Sequence, residues 1–117
     1  MDTRTGLIRE RCVACRRDAP KVTEEEVAEL RPAIPDWQLI EDDGMRQLNR
    51  AFKFDDFAGA MAFASKVGAA ADKDDHHPRI TVEWGRVSVT WWTHKIRGLH
   101  RNDFIMAAKT DDILART

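Results

Sequence analysis

Asp72-Lys73-Asp74-Asp75-His76-His77-Pro78-Arg79-Ile80-Thr81-Val82-Glu83-Trp84-Gly85-Arg86-Val87-Ser88-Val89-Thr90-Trp91-Trp92-Thr93-His94 carries three of the chain's four histidines. Ile80, Val82 and Trp84 alternate with Arg79, Thr81 and Glu83; Val87, Val89 and Trp91 alternate with Ser88, Thr90 and Trp92. A period of two is the mark of a half-buried strand. Gly85-Arg86 between the runs suits a two-residue hairpin turn of the Gly-X type. That turn pairs Trp84 with Val87, Val82 with Val89 and Ile80 with Trp91, which makes one apolar face. Carried outward, the same register sets His77 opposite His94, with His76 beside them. Pro78 has no N–H for a ladder and holds His77 extended, so it fits a strand's first position. The plainer reading is three surface histidines at a strand end. Gathered imidazoles, however, can both give and take protons near neutral pH.

The rest of the chain supplies partners for this hairpin. Thr23-Glu24-Glu25-Glu26 has the form of a capping box, and it opens a short helix with Val27, Leu30 and Ala33 buried and Pro35 as its stop. Trp37–Glu41 reads as a strand, Asp43-Gly44 as a tight turn, and Met45 to Phe54 as the returning strand. The register sets Leu39 against Leu48 and Glu41 against Arg46, and gives Trp37, Leu39, Leu48, Phe52 and Phe54 one buried face. No basic residues interleave with these aromatics on that face, so a core reading wins over a base-stacking platform. Asp55-Asp56 caps a helix expected over 56–71, with Phe57, Ala60, Met61, Ala64 and Val67 at helical spacing and Gly68 loosening its last turns. A last helix is expected over 101–114. The fold class is therefore α+β: a four-stranded antiparallel sheet with helices packed on one face, in the order α-β-β-α-β-β-α. Residues 1–22 read as an N-terminal arm and 23–117 as a single domain.

Composition excludes several roles. A formal net charge of −1 gives no bulk attraction to nucleic acid. No apolar run approaches a membrane span, and the first residues carry charges where a secretory leader would be apolar, so a cytoplasmic location is expected. Cys12 and Cys15 make only half of a four-cysteine metal site, and they are read as reduced thiols of minor structural weight. The acidic run Asp72–Asp75 is an ordinary solvated exit turn. Its place before the histidines also makes Asp72 or Asp75 a candidate to hold an imidazole's second N–H.

The set Asp72, His76, His77, Pro78, Trp84, His94 and Asp103 resembles the signature of the pterin-4a-carbinolamine dehydratases. Trp92-Thr93-His94 followed by Gly98-Leu99 also resembles that family, and the run Asp103-Phe104-Ile105-Met106-Ala107-Ala108 resembles its bacterial branch. The likeness extends from Cys12 to about Leu114. One departure is His100, where a Ser or Thr cap is expected before the last helix. The resemblance implies dehydration of 4a-hydroxytetrahydropterin to the quinonoid dihydropterin, recycling the cofactor of aromatic amino-acid hydroxylation. It implies no metal and no redox cofactor. His76, His77 and His94 are the expected catalytic residues, His76 and His94 exchanging protons and His77 orienting the substrate. Asp72, Asp75, Pro78, Trp92 and Asp103 are expected to bind or orient, with Trp92 free to stack on the flat ring and Asp103 equally at home as a helix-terminal carboxylate. A homodimer or homotetramer and a functional link to an aromatic amino-acid hydroxylase are implied as partners. Two other readings stay open: an interaction module docking through the helix at 56–71, as in a dimerisation partner of a transcription factor, and a related enzyme of molybdopterin metabolism.

Overall fold

The computed structural model describes residues 3–10 and 20–116. Cys12 and Cys15, and the reading attached to them, lie outside the described residues. In chain order the elements are α1 (Thr3–Arg9), α2 (Glu24–Leu30), β1 (Gln38–Asp42), β2 (Met45–Lys53), α3 (Phe57–Asp74), β3 (Arg79–Glu83), β4 (Arg86–Trp91) and α4 (Arg101–Ala115), with 3-10 turns at Arg31–Ala33 and His94–Ile96. The four strands form one antiparallel sheet in the order β1-β2-β4-β3. This is the expected α+β class, with one added helix at the N-terminus.

The first hairpin follows its local chemistry. Asp43 and Gly44 both take positive φ, 53° and 76°, and Leu39 pairs with Leu48 and Glu41 with Arg46. Leu48 and Phe52 then share a face with Val87, Val89 and Trp91 of β4, all buried. Against that face lie α3 and α4. Phe63 of α3 packs on Phe52 and Phe54, with ring centroids 4.8 and 5.2 Å away, and Trp91 donates to Thr110 Oγ1 of α4 at 3.1 Å. Arg50, on the same face, pairs with Asp111 at 2.6 Å, and the Trp37 indole donates to the same carboxylate at 2.9 Å.

The second hairpin departs from its expected register. Val82 pairs with Val87 and Ile80 with Val89, so the two-residue turn is Trp84-Gly85 rather than Gly85-Arg86. Gly85 takes φ 72°, and a Cβ there would meet the Phe54 carbonyl oxygen at 3.1 Å. The Gly85 carbonyl accepts from Phe54 N–H at 2.9 Å. Docking of the turn against the end of β2 therefore selects the glycine's position. Because the slip is two residues, the inward parity of Ile80 and Val82 survives. Trp84 does not keep its expected place in the core: it is a turn residue, 72% exposed.

The helices differ from expectation at their ends. Thr23 and Glu26 form the reciprocal capping box, but α2 closes at Leu30 and tightens into the 3-10 turn before Pro35 is reached. Asp56 caps α3, whose buried stripe is Ala60, Phe63, Val67 and Ala71, while Phe57 and Met61 face outward. Gly68 does not loosen its end: α3 runs to Asp74 and stops at Asp75 with φ 50°. α1 is helical where an irregular arm was expected, and its Leu7 is fully buried.

Candidate active site

The register places the histidines. The β3–β4 ladder stops at Arg79 opposite Thr90. Continued outward, it sets His77 beside Trp92 and His76 beside Thr93, not His77 opposite His94 as the other turn requires. Alternation then sends adjacent residues to opposite faces. His76 turns toward the helices and is buried, with its ring stacked on Trp91 at 5.8 Å and an interplanar angle of 5°. His77 turns outward and is exposed; its Nε2 lies 3.0 Å from Asp72 Oδ1. His94 is also exposed, and its ring lies 4.3 Å from that of Trp92. The Arg79 guanidinium sits over the same indole, 5.2 Å from the Trp92 ring centroid.

Asp103 ties the two faces together. It is fully buried in the first turn of α4. Its Oδ1 is 2.7 Å from His76 Nε2, and its Oδ2 accepts from Thr93 Oγ1 at 2.8 Å and from His100 N–H at 2.9 Å. One carboxylate thus fixes the His76 ring, the residue just before His94, and the start of its own helix. Helix capping, which the sequence reading gives to Asp103, coexists here with the imidazole contact that the same reading gives to Asp72 or Asp75. His100 fills the cap that a Ser or Thr would fill, because its Nδ1 accepts from Asn102 N–H at 3.0 Å.

Of the other residues singled out, Asp72 lies beside His77, and Pro78 stands one residue ahead of β3 rather than as its first residue. Asp75 ends α3 in the left-handed conformation, its backbone N–H bonded to Ala71 and Asp72 carbonyls. Sequence reasoning missed Thr93. The signal was present, since a two-residue shift of the hairpin sets Thr93 across from His76. Among the described residues no group of three or more His, Cys, Asp or Glu is placed to hold a metal ion. Nor is any helix among them long and apolar enough to cross a membrane.

What the arrangement can do is proton transfer. A buried imidazole, stacked on Trp91 and backed by a buried carboxylate, lies on the inner face of the sheet end, and two exposed imidazoles lie on its outer side, His94 against Trp92. Comparison with known proteins points the same way. Residues 20–113 match the family model described as pterin 4 alpha carbinolamine dehydratase. A Nitrosococcus oceani protein named "Putative pterin-4-alpha-carbinolamine dehydratase" is 58% identical over 103 residues, which cover 88% of this chain and 91% of that one. The crystal structure of a transcriptional coactivator/pterin dehydratase from Brucella melitensis superposes with a TM-score of 0.71 at 37% identity, covering 80% of this chain and 98% of the other. The chain belongs to the pterin 4 alpha carbinolamine dehydratase family.

Proposed function

We propose that the three histidines carry out the dehydration for which the family is named, on a 4a-hydroxytetrahydropterin. In that step the bond from C4a to the hydroxyl oxygen breaks, and the oxygen leaves as water after taking a proton. The lone pair of the adjacent ring nitrogen becomes the new C=N bond, and a proton leaves the ring. Electrons balance without an oxidant, and the product is the quinonoid dihydropterin. His76 is the base: Nε2 is committed to Asp103, which leaves Nδ1 to take the ring proton while the carboxylate stabilises the imidazolium that forms. His94, exposed and able to reload from water, protonates the leaving hydroxyl. His77, held by Asp72, orients the substrate, and Trp92, covered by His94 and Arg79 in the free protein, stacks on the pterin as those side chains give way.

The observation that carries this reading is the buried Asp103 carboxylate shared by His76 and Thr93. Stopped-flow decay of freshly generated 4a-carbinolamine, with and without the protein, tests it. His76→Ala and His94→Ala are each expected to lower kcat by about 10² to 10⁴, the usual share of a positioned acid or base; His77→Ala is expected to raise KM first. Wild-type protein that leaves the decay unaccelerated overturns the reading.

The same reading extends to recycling of the pterin for an aromatic amino-acid hydroxylase and to a homodimer or homotetramer in the cytoplasm. A second role attaches to Phe57 and Met61, 48% and 44% exposed one turn apart on α3. They give that helix an apolar docking face, and the Brucella protein's name joins a coactivator to a dehydratase. His76→Ala/His94→Ala protein that retains a cellular role without turnover separates docking from chemistry.

A further inference from the structure

Gln47 has no exposed surface, and among the described residues neither its amide nitrogen nor its amide oxygen has a hydrogen-bond partner. A primary amide brings two N–H donors and a two-lone-pair acceptor. Keeping them buried without a protein partner costs stability that a leucine of similar size would not cost. Buried polar groups are rarely left in this state, and an orphaned one calls for a function.

Its place in the sheet supplies that function. Leu48 and Phe52 face the helices, so Gln47 lies on the opposite face of β2. Leu48 pairs with Trp91, and one further step of that register sets Gln47 beside Trp92 on the same face. Directly opposed side chains have Cβ atoms about 4.5–5.5 Å apart. Trp92 in turn stacks against His94 and lies under Arg79. The orphaned amide is therefore one side chain away from the proton donor assigned above, on the face where His77, Arg79 and His94 lie.

We infer that Gln47 binds the pyrimidine edge of the substrate. This rests on the dehydratase reading of the same site. The oxo-pyrimidine half of a pterin presents a ring N–H next to a carbonyl; a primary amide presents the complement, an acceptor next to a donor, and the pair closes through two hydrogen bonds. Gln47 has no exposed surface and Trp92 beside it is 8% exposed, so binding at the amide requires that its cover give way as the substrate enters. The free protein carries an unsatisfied group that the substrate satisfies. A site built this way rejects flat heterocycles that lack the paired donor and acceptor.

Gln47→Leu is the test, read by thermal denaturation of the free protein and by stopped-flow kinetics on 4a-carbinolamine. The expected result is a raised Tm together with a KM raised about 10-fold or more, as two lost hydrogen bonds imply, and kcat within about threefold of wild type. A lowered Tm, or failure of both Gln47→Leu and Gln47→Met to fold, overturns the inference, because the amide then serves the fold. An unchanged KM overturns it whatever the Tm does. Wild-type kinetics run alongside keep the two readings apart: no acceleration by wild type sinks the dehydratase assignment, whereas acceleration with an unchanged Gln47→Leu KM sinks only the role of Gln47.

Discussion

Two carboxylate–imidazole contacts of similar length do different work because their surroundings differ. Asp103 and His76 are both buried, whereas Asp72 and His77 have side chains 82% and 56% exposed. Water competes for the second pair and salt screens it, so it contributes no more than about 1 kcal/mol. The first pair is closed to water, and loss of its acceptor leaves three donors without a charged partner. Asp103→Asn is therefore expected to cut kcat by about 10²-fold, the low end of a positioned acid–base contribution, while Asp72→Ala changes it less than about fivefold. Parallel measurement of kcat in the two variants decides, and equal losses would place the important imidazole at His77 instead. The sequence could place both aspartates at motif positions but could not apportion them. Burial separates them, and burial follows from which of two adjacent histidines turns inward.

That turning is settled at the level of the hairpin. Read locally, Gly85-Arg86 makes a sound turn and puts Trp84 among the core residues. The fold uses Trp84-Gly85 because the glycine must present its carbonyl to Phe54 N–H and approach the Phe54 carbonyl closely. No local rule contains that contact, since Phe54 belongs to another hairpin. A slip of two residues keeps Ile80, Val82, Val87, Val89 and Trp91 inward and loses only Trp84 to the turn, so the apolar face was legible even though the pairing was not. The ends of the hairpin pay for the slip: His77 loses His94 as its opposite and gains Trp92. By contrast, Asp43-Gly44 carries both positive-φ residues within the turn itself, and its register follows from sequence. Gly85→Ala tests the account. An alanine at φ 72° costs about 1–2 kcal/mol, and the 3.1 Å approach to Phe54 adds to it. The expected outcome is a destabilisation of about 2 kcal/mol by urea denaturation, along with impaired turnover as the register relaxes. Alanine at the first turn position, Trp84→Ala, is expected to be nearly neutral because that side chain is exposed.

At the scale of the molecule, α1 is an addition to the matched region, which begins at residue 20. Its seven residues are too few to hold a helix alone, and Leu7 and Ile8 between charged residues give no periodic signal. It forms because α4 receives it: Leu7 enters the core and Glu10 makes two hydrogen bonds to Arg101, at 2.9 and 2.7 Å. Those bonds hold the Glu10 carboxyl below its usual range, and the same bonds raise Arg101. The sign follows from proton counting. With Glu10 lowered in the folded chain, the unfolded chain binds more protons around the ordinary glutamate value. The pair's stabilisation is therefore complete above that value and fades as pH falls through the lowered one. Both side chains are more than a third exposed, so screening limits the effect to below about 1 kcal/mol. Glu10→Gln should then be less stable than wild type near neutral pH, and the gap should close as pH falls below the ordinary glutamate range and shrink in high salt. Denaturation midpoints of both proteins across that range, with amide exchange in α1 as the local probe, test the docking directly. A gap that persists unchanged in acid would assign the loss to packing of the glutamate's methylenes rather than to its charge.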